Sequence, residues 1–133
     1  MTTERYRRNA GSVYSLKYHV VWCPKYRRPV LVGQVADDLK ALLHEKAEVL
    51  GAEIHSLEVM PDHVHLFVES DPTLPVQFLV NQFKGYTSRI LRDRYPDLRS
   101  RLPALWSRSY YAGTVGHVSE ETVRRYIEAQ KGR

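Results

Sequence analysis

The chain has 133 residues and a single cysteine, Cys23. That is enough for one ordinary core, and it excludes an intrachain disulfide or a multi-cysteine zinc knuckle. No apolar run approaches the roughly 20 residues that span a bilayer. The basic stretch Met1 to Ser12 carries Arg5, Arg7 and Arg8 without the apolar segment of a secretory signal, so the expected location is the cytoplasm. The formal charge of +5 and a pI near 9.4 suit a polyanionic partner, nucleic acid or an acidic membrane surface. Nine tyrosines and two tryptophans add rings on which bases stack.

Residues 1–12 read as a mobile basic arm ahead of one domain that fills the chain, 1–133. Val13 to Cys23 reads as a strand, with Tyr14, Leu16, Tyr18, Val20 and Trp22 on one face and Ser15, Lys17, His19 and Cys23 on the other. Pro24 ends it. Lys25-Tyr26-Arg27-Arg28-Pro29 is a basic loop with an aromatic inside it, either a solvated turn or a phosphate contact.

Gly33 to Leu50 carries Val35, Leu39, Leu42, Leu43, Ala47 and Leu50 at helical steps, with Gly51 where a C-terminal cap wants glycine. Ala52 to Val59 is a second strand. The Met60-Pro61-Asp62 turn returns the chain antiparallel into His63-Val64-His65-Leu66-Phe67-Val68-Glu69. Alternation puts Val64, Leu66 and Val68 toward a core, and His63 and His65 side by side on the other face. That geometry suits two nitrogen ligands on one metal ion; the blander and, for a lone His-x-His, commoner reading is two polar residues on an open sheet face.

Asp71 to Pro75 starts a helix running from about Val76 to Arg94, with a buried side from Val76 to Leu91 and a basic side of Lys84, Arg89, Arg92 and Arg94. Gly85 interrupts it, as close approach of a backbone or ligand would require. Residues 97–109 read as an irregular basic loop, and Tyr110 to Gly116 as the last strand. Ser119 N-caps a final helix, with Val118 and Val123 as its hydrophobic staple. Tyr126 and Gln130, four residues apart, are neighbours on one face of it.

The order strand, helix, strand, strand, helix, strand and an extra helix is that of an α+β, ferredoxin-like (RRM-like) β-α-β-β-α-β sandwich with an antiparallel sheet. A metal held by His63 and His65 alone is under-coordinated, and the Gln130 carbonyl oxygen would supply a third ligand. Imidazole and oxygen together suit manganese well and magnesium acceptably. Tyr126 would then face a polarised phosphate.

The chain closely resembles the HUH-superfamily single-tyrosine transposases of small bacterial and archaeal insertion sequences, the TnpA type. The matching segments are Tyr18 to Arg27, the Met60-Pro61-Asp62-His63-Val64-His65 motif, Leu105-Trp106, Ser109-Tyr110-Tyr111, Gly113 to Gly116 and Tyr126 to Gln130. The resemblance implies a metal-dependent single-stranded DNA endonuclease and strand-transferase that recognises hairpins near element ends and works without ATP. It implies Tyr126 as nucleophile, with a 5′-phosphotyrosine intermediate. It implies His63, His65 and Gln130 as ligands of Mg2+ or Mn2+, and a homodimer in which the tyrosine helix of one copy serves the histidine pair of the other. Lys25, Arg27, Arg28, Lys84, Arg89 and Arg108 are candidate DNA contacts, and His19 a candidate base. No membrane and no small organic cofactor enter. The alternatives are a non-catalytic RRM-like single-strand binder and a domesticated repeat-processing nuclease. A histidine-triad hydrolase would need a third histidine where Phe67 stands.

Overall fold

In the computed structural model, residues 16–114 and 120–133 are described, together with the strand placement of 7–9 and 12–14. Among the described residues the strands are β1 (Arg7–Asn9), β2 (Ser12–Tyr14), β3 (Leu16–Trp22), β4 (Glu53–Met60), β5 (His63–Ser70) and β6 (Tyr111–Thr114). The helices are α1 (Gly33–Leu50), α2 (Val76–Arg94), α3 (Pro96–Arg101) and α4 (Glu120–Ala129).

The main sheet has the order β4-β5-β3-β6, with every neighbour antiparallel. This is the expected ferredoxin-like arrangement. The register pairs Tyr18 with Val68, Val20 with Leu66 and Trp22 with Val64. Side chains opposite each other share a face, so these residues form one apolar layer. Helices α1 and α2 close over it with Leu39, Leu43, Leu79, Val80, Phe83 and Leu91, all in the same core cluster. The inward row Val64, Leu66 and Val68 is fully buried. Each such aliphatic side chain contributes roughly 1.5–3 kcal/mol.

Helix α1 ends where Gly51 adopts φ 74° and donates its N–H to Ala47 and Glu48, the left-handed cap that glycine makes at no steric cost. Helix α2 ends at Arg94, because Pro96 cannot continue its hydrogen bonding.

Four expectations need correction. The first strand is divided: β2 pairs with β1 in a separate two-stranded sheet, and β3 begins at Leu16. Arg7–Asn9, placed in the arm, are therefore a paired strand; residues 1–6 lie outside the described residues. The loop at 97–109 opens with α3, because Pro96 fits the first turn of a new helix, where its missing N–H costs nothing. Gly85 has open space where a Cβ would stand, so no backbone of the described chain approaches it closely. Ser119 and Val118, read as cap and staple, fall outside the described residues. Among the described residues, no helix is long and apolar enough to cross a membrane.

Candidate functional site

The second face of the sheet carries His19 and Val21 from β3, His63, His65 and Phe67 from β5, and Tyr111 from β6. Register places them together: His19 opposite Phe67, and Val21 opposite both His65 and Tyr111. Val21 and Cys23 on this side are fully buried, unlike the side chains of an open face, and α4 lies here. The Tyr126 and Tyr111 ring centroids are 6.3 Å apart, and Arg27 donates to the Ile127 carbonyl at 3.4 Å. Cys23 is a protonated thiol, pushed up to about 12 by burial and by nearby Asp62.

His63 Nδ1 lies 2.9 Å from Asp62 Oδ1. The carboxylate can only accept, so Nδ1 is the donor, and in the neutral ring this leaves the Nε2 lone pair open to a ligand. Asp62 is in turn paired with Arg27 at 3.4 Å. Arg27 is aimed there by a strained turn in which Tyr26 and Arg27 have φ of 61° and 53°. Such left-handed non-glycine residues cost roughly 1–2 kcal/mol each. The turn is held by Lys25 N–H on Leu105 O (2.8 Å) and Tyr26 N–H on Arg133 O (3.1 Å).

His65 Nε2 lies 3.2 Å from His19 Nδ1, and the His19 ring stacks flat on Phe67 at 4.5 Å. Burial, followed by the proximity of His19, pulls the His65 pKa below its ordinary value. A neutral imidazole with an available lone pair is what a divalent cation requires. A carboxylate fixing one imidazole, beside a second that resists protonation, fits a metal ion.

Directly after α4, Gln130 is buried, and its Oε1 accepts from the hydroxyls of Ser107 (3.2 Å) and Ser109 (2.9 Å). Its Nε2 donates to the Tyr126 carbonyl at 3.3 Å. Tyr126 Oη is 3.0 Å from Ser109 Oγ. Burial pushes the phenol up to about 12, with Ser109 opposing. The two halves of the expected site thus share a sheet face. Helix α4 meets His63 at a cavity of about 410 Å³ lined by Arg27, Asp62, His63, Val123, Ile127 and other α4 residues; His65, Tyr126 and Gln130 do not line it. Among the described residues, no hydrogen bond joins Tyr126 or Gln130 to His63 or His65.

Lys84 corrects the reading of a basic outer side on α2. It is buried, and its ammonium donates to the carbonyls of Ser107 (2.6 Å), Arg108 (3.3 Å) and Ser109 (3.2 Å). It is turned inward and is no surface phosphate contact. Arg92 likewise donates to the Leu102 carbonyl at 2.9 Å. Arg28 and Arg108 are exposed, Arg89 is exposed beside the Tyr86 ring, and Lys25 is half-buried. Asp62, Ser107 and Ser109 were not singled out from sequence. Asp62 had the signal of adjacency to His63, whereas the serines sit in an aperiodic loop. At the far end of the same face, His55 lies 2.8 Å from Glu69 and 3.4 Å from Glu53. A two-for-one irregularity of β4 between Ile54 and Ser56 places it there.

The architecture is that of transposases. A crystal structure of a candidate transposase from Deinococcus radiodurans superposes with a TM-score of 0.87 at 37% identity, covering 96% of this chain and 99% of that one. A REP-associated tyrosine transposase bound to a REP hairpin shares the fold, with a TM-score of 0.50 at 14% identity over 95% of this chain and 69% of that one.

The chain belongs to the IS200-like transposase family, whose family model matches residues 12–130. It is 41% identical over 126 residues to the ISDra2 transposase TnpA of Deinococcus radiodurans, spanning 93% of this chain and 90% of that protein. It is 31% identical over 123 residues to the transposase for insertion sequence element IS200 of Salmonella typhimurium, spanning 91% of this chain and 80% of that protein.

Proposed function

We propose that this transposase is a metal-dependent, single-stranded DNA endonuclease and strand-transferase that recognises hairpins at element ends and uses Tyr126 as its nucleophile. The observation that carries the reading is the pairing of Tyr126 with Gln130, one helical turn apart, on a helix docked over the sheet face that presents His63 and His65. The membership in a transposase family supports it.

His63 and His65 would hold Mg2+ or Mn2+ through imidazole nitrogens, and Gln130 would provide a third ligand through Oε1. When bound, the ion withdraws charge from the phosphodiester and stabilises the charge that develops on it. Asp62 accepts from His63 Nδ1, and the burial of His65 favours the neutral form of that ring. The Tyr126 oxygen bonds to phosphorus as the bond from phosphorus to the 3′ oxygen breaks. The phenolic proton is released and the departing 3′ oxygen takes one up. The 5′-phosphotyrosine conserves the ester, so a second 3′-hydroxyl can reverse the step on a new end without ATP.

Each chain holds one strand end, so exchanging two ends takes two copies, and the acting species is a homodimer. Ligation by Gln130 requires its Oε1 to leave Ser107 and Ser109. Seating α4 against His63 and His65 of a second copy would accomplish that.

The test is incubation with single-stranded hairpin DNA and Mn2+ or Mg2+. The expected product is an SDS-resistant protein–DNA adduct that is absent with chelator and in Tyr126→Phe. Adduct formation without divalent metal would overturn the metal assignment, and absence of cleavage with the element's own ends would overturn the endonuclease reading.

A further inference from the structure

Beside Tyr126, an open cavity of about 260 Å³ is lined by Lys25, Ser107, Arg108, Ser109, Gln130 and Arg133. Three of its six lining side chains are cationic and two are hydroxyls; no Asp or Glu side chain lines it. The main-chain oxygen of Arg133 is turned to the Tyr26 N–H.

The backbone beneath adds to this. The carbonyls of Ser107, Arg108 and Ser109 converge on the Lys84 ammonium. Across a planar trans peptide, C=O and the following N–H point in opposite directions, and the described chain has no cis peptide. The N–H groups that follow those carbonyls are therefore turned away from Lys84, toward the exposed side of the loop. Among the described residues, neither the Arg108 nor the Ser109 N–H donates to a protein acceptor. Consecutive outward N–H groups ringed by cations form an anion-binding concavity. Lys84 organises it from below.

We propose that this cavity is a phosphodiester subsite, which takes a backbone phosphate of the single strand next to the one attacked by Tyr126. The inference rests on the reading that the chain acts on single-stranded DNA, and it adds Arg133 and the amides of the 107–109 loop to the contacts foreseen for Lys25 and Arg108. Ser109 touches both the cavity and Tyr126, so with α4 docked as in this structure an anchored phosphate lies beside the phenol.

The experiment is fluorescence anisotropy of a labelled single-stranded oligonucleotide across a salt series, with Tyr126→Phe as the uncleaving parent. Adding Lys25→Gln and Arg133→Gln weakens binding. It also makes the slope of log K against log salt shallower by about 0.7 for each phosphate that the protein no longer neutralises. Lys40→Gln, on the exposed side of α1, leaves the slope as it was. An unchanged slope in the Lys25/Arg133 variant, with the parent binding normally, overturns the subsite alone. A parent that does not bind single strands overturns this inference and the proposed function together.

Discussion

The Tyr126 phenol donates its proton to Ser109 Oγ across 3.0 Å. The direction follows from counting protons: Ser109 has one, and it is committed to Gln130 Oε1 at 2.9 Å. Nucleophile and candidate ligand are thus fixed by the same hydroxyl. Ser109→Ala removes both bonds and should loosen α4 by about 1 kcal/mol. Amide exchange in Glu120–Ala129 should quicken while β3 and β5 exchange as before. Equal protection of α4 in the variant would mean that this hydroxyl does not hold the helix.

Asp62→Asn leaves the packing of β5 intact but removes the charged partner of His63 Nδ1. Carboxylates in this position typically contribute 10–100-fold to metal affinity. Calorimetric titration with Mn2+ should show a loss of about that size, with an unchanged melting temperature for the metal-free protein. Full affinity in Asp62→Asn would mean that His63 needs no such support.

Gln130→Ala should weaken Mn2+ binding by the dimer while leaving His63 and His65 in place. The same titration decides it, since unchanged affinity removes Gln130 from the ligand set.

The fold was largely legible because its signals are periodic. Helices α1 and α2 occupy the spans that the apolar steps from Val35 and Val76 predict, and Val64, Leu66 and Val68 point inward as alternation requires. The same rule, applied without regard to charge, would have found Lys84. It lies four residues after Val80 and three before Thr87, on the buried stripe, and its lysine identity drew it to the wrong side. Helix α3 was missed because Pro96 both stops one helix and starts the next. In the site, His63, His65, Tyr126 and Gln130 stand out by spacing. The His19–His65 contact depends on cross-strand register, and the Ser107 and Ser109 contacts on a loop without a period. Neither can be read from one strand or helix alone.

Lys84 also carries a pH dependence. Burial lowers it from 10.5 to about 8, while three carbonyls favour its charged form. Between those values the unfolded chain holds a proton that the native chain has lost, so this group's contribution to stability rises with pH across the window. Below about pH 8 both states are protonated and the full cost of burying the charge remains. Lys84→Met leaves the loop carbonyls without a donor and should destabilise the protein by roughly 1–3 kcal/mol at neutral pH. The gap between wild type and variant should then widen from about pH 8 toward 10 in urea unfolding. A gap that narrows over this range would contradict the assigned direction.

The most direct measurement of the central claim is peptide mapping of the covalent adduct formed on single-stranded hairpin DNA with Mn2+. After nuclease trimming and trypsin, the nucleotide mass should reside on the peptide from Tyr126 to Lys131, and only the DNA fragment 3′ to the cut should be attached. Nucleotide mass on the peptide that contains Tyr110 and Tyr111, or a fragment attached through its 3′ end, would contradict the assignment of Tyr126 and the polarity of the reaction.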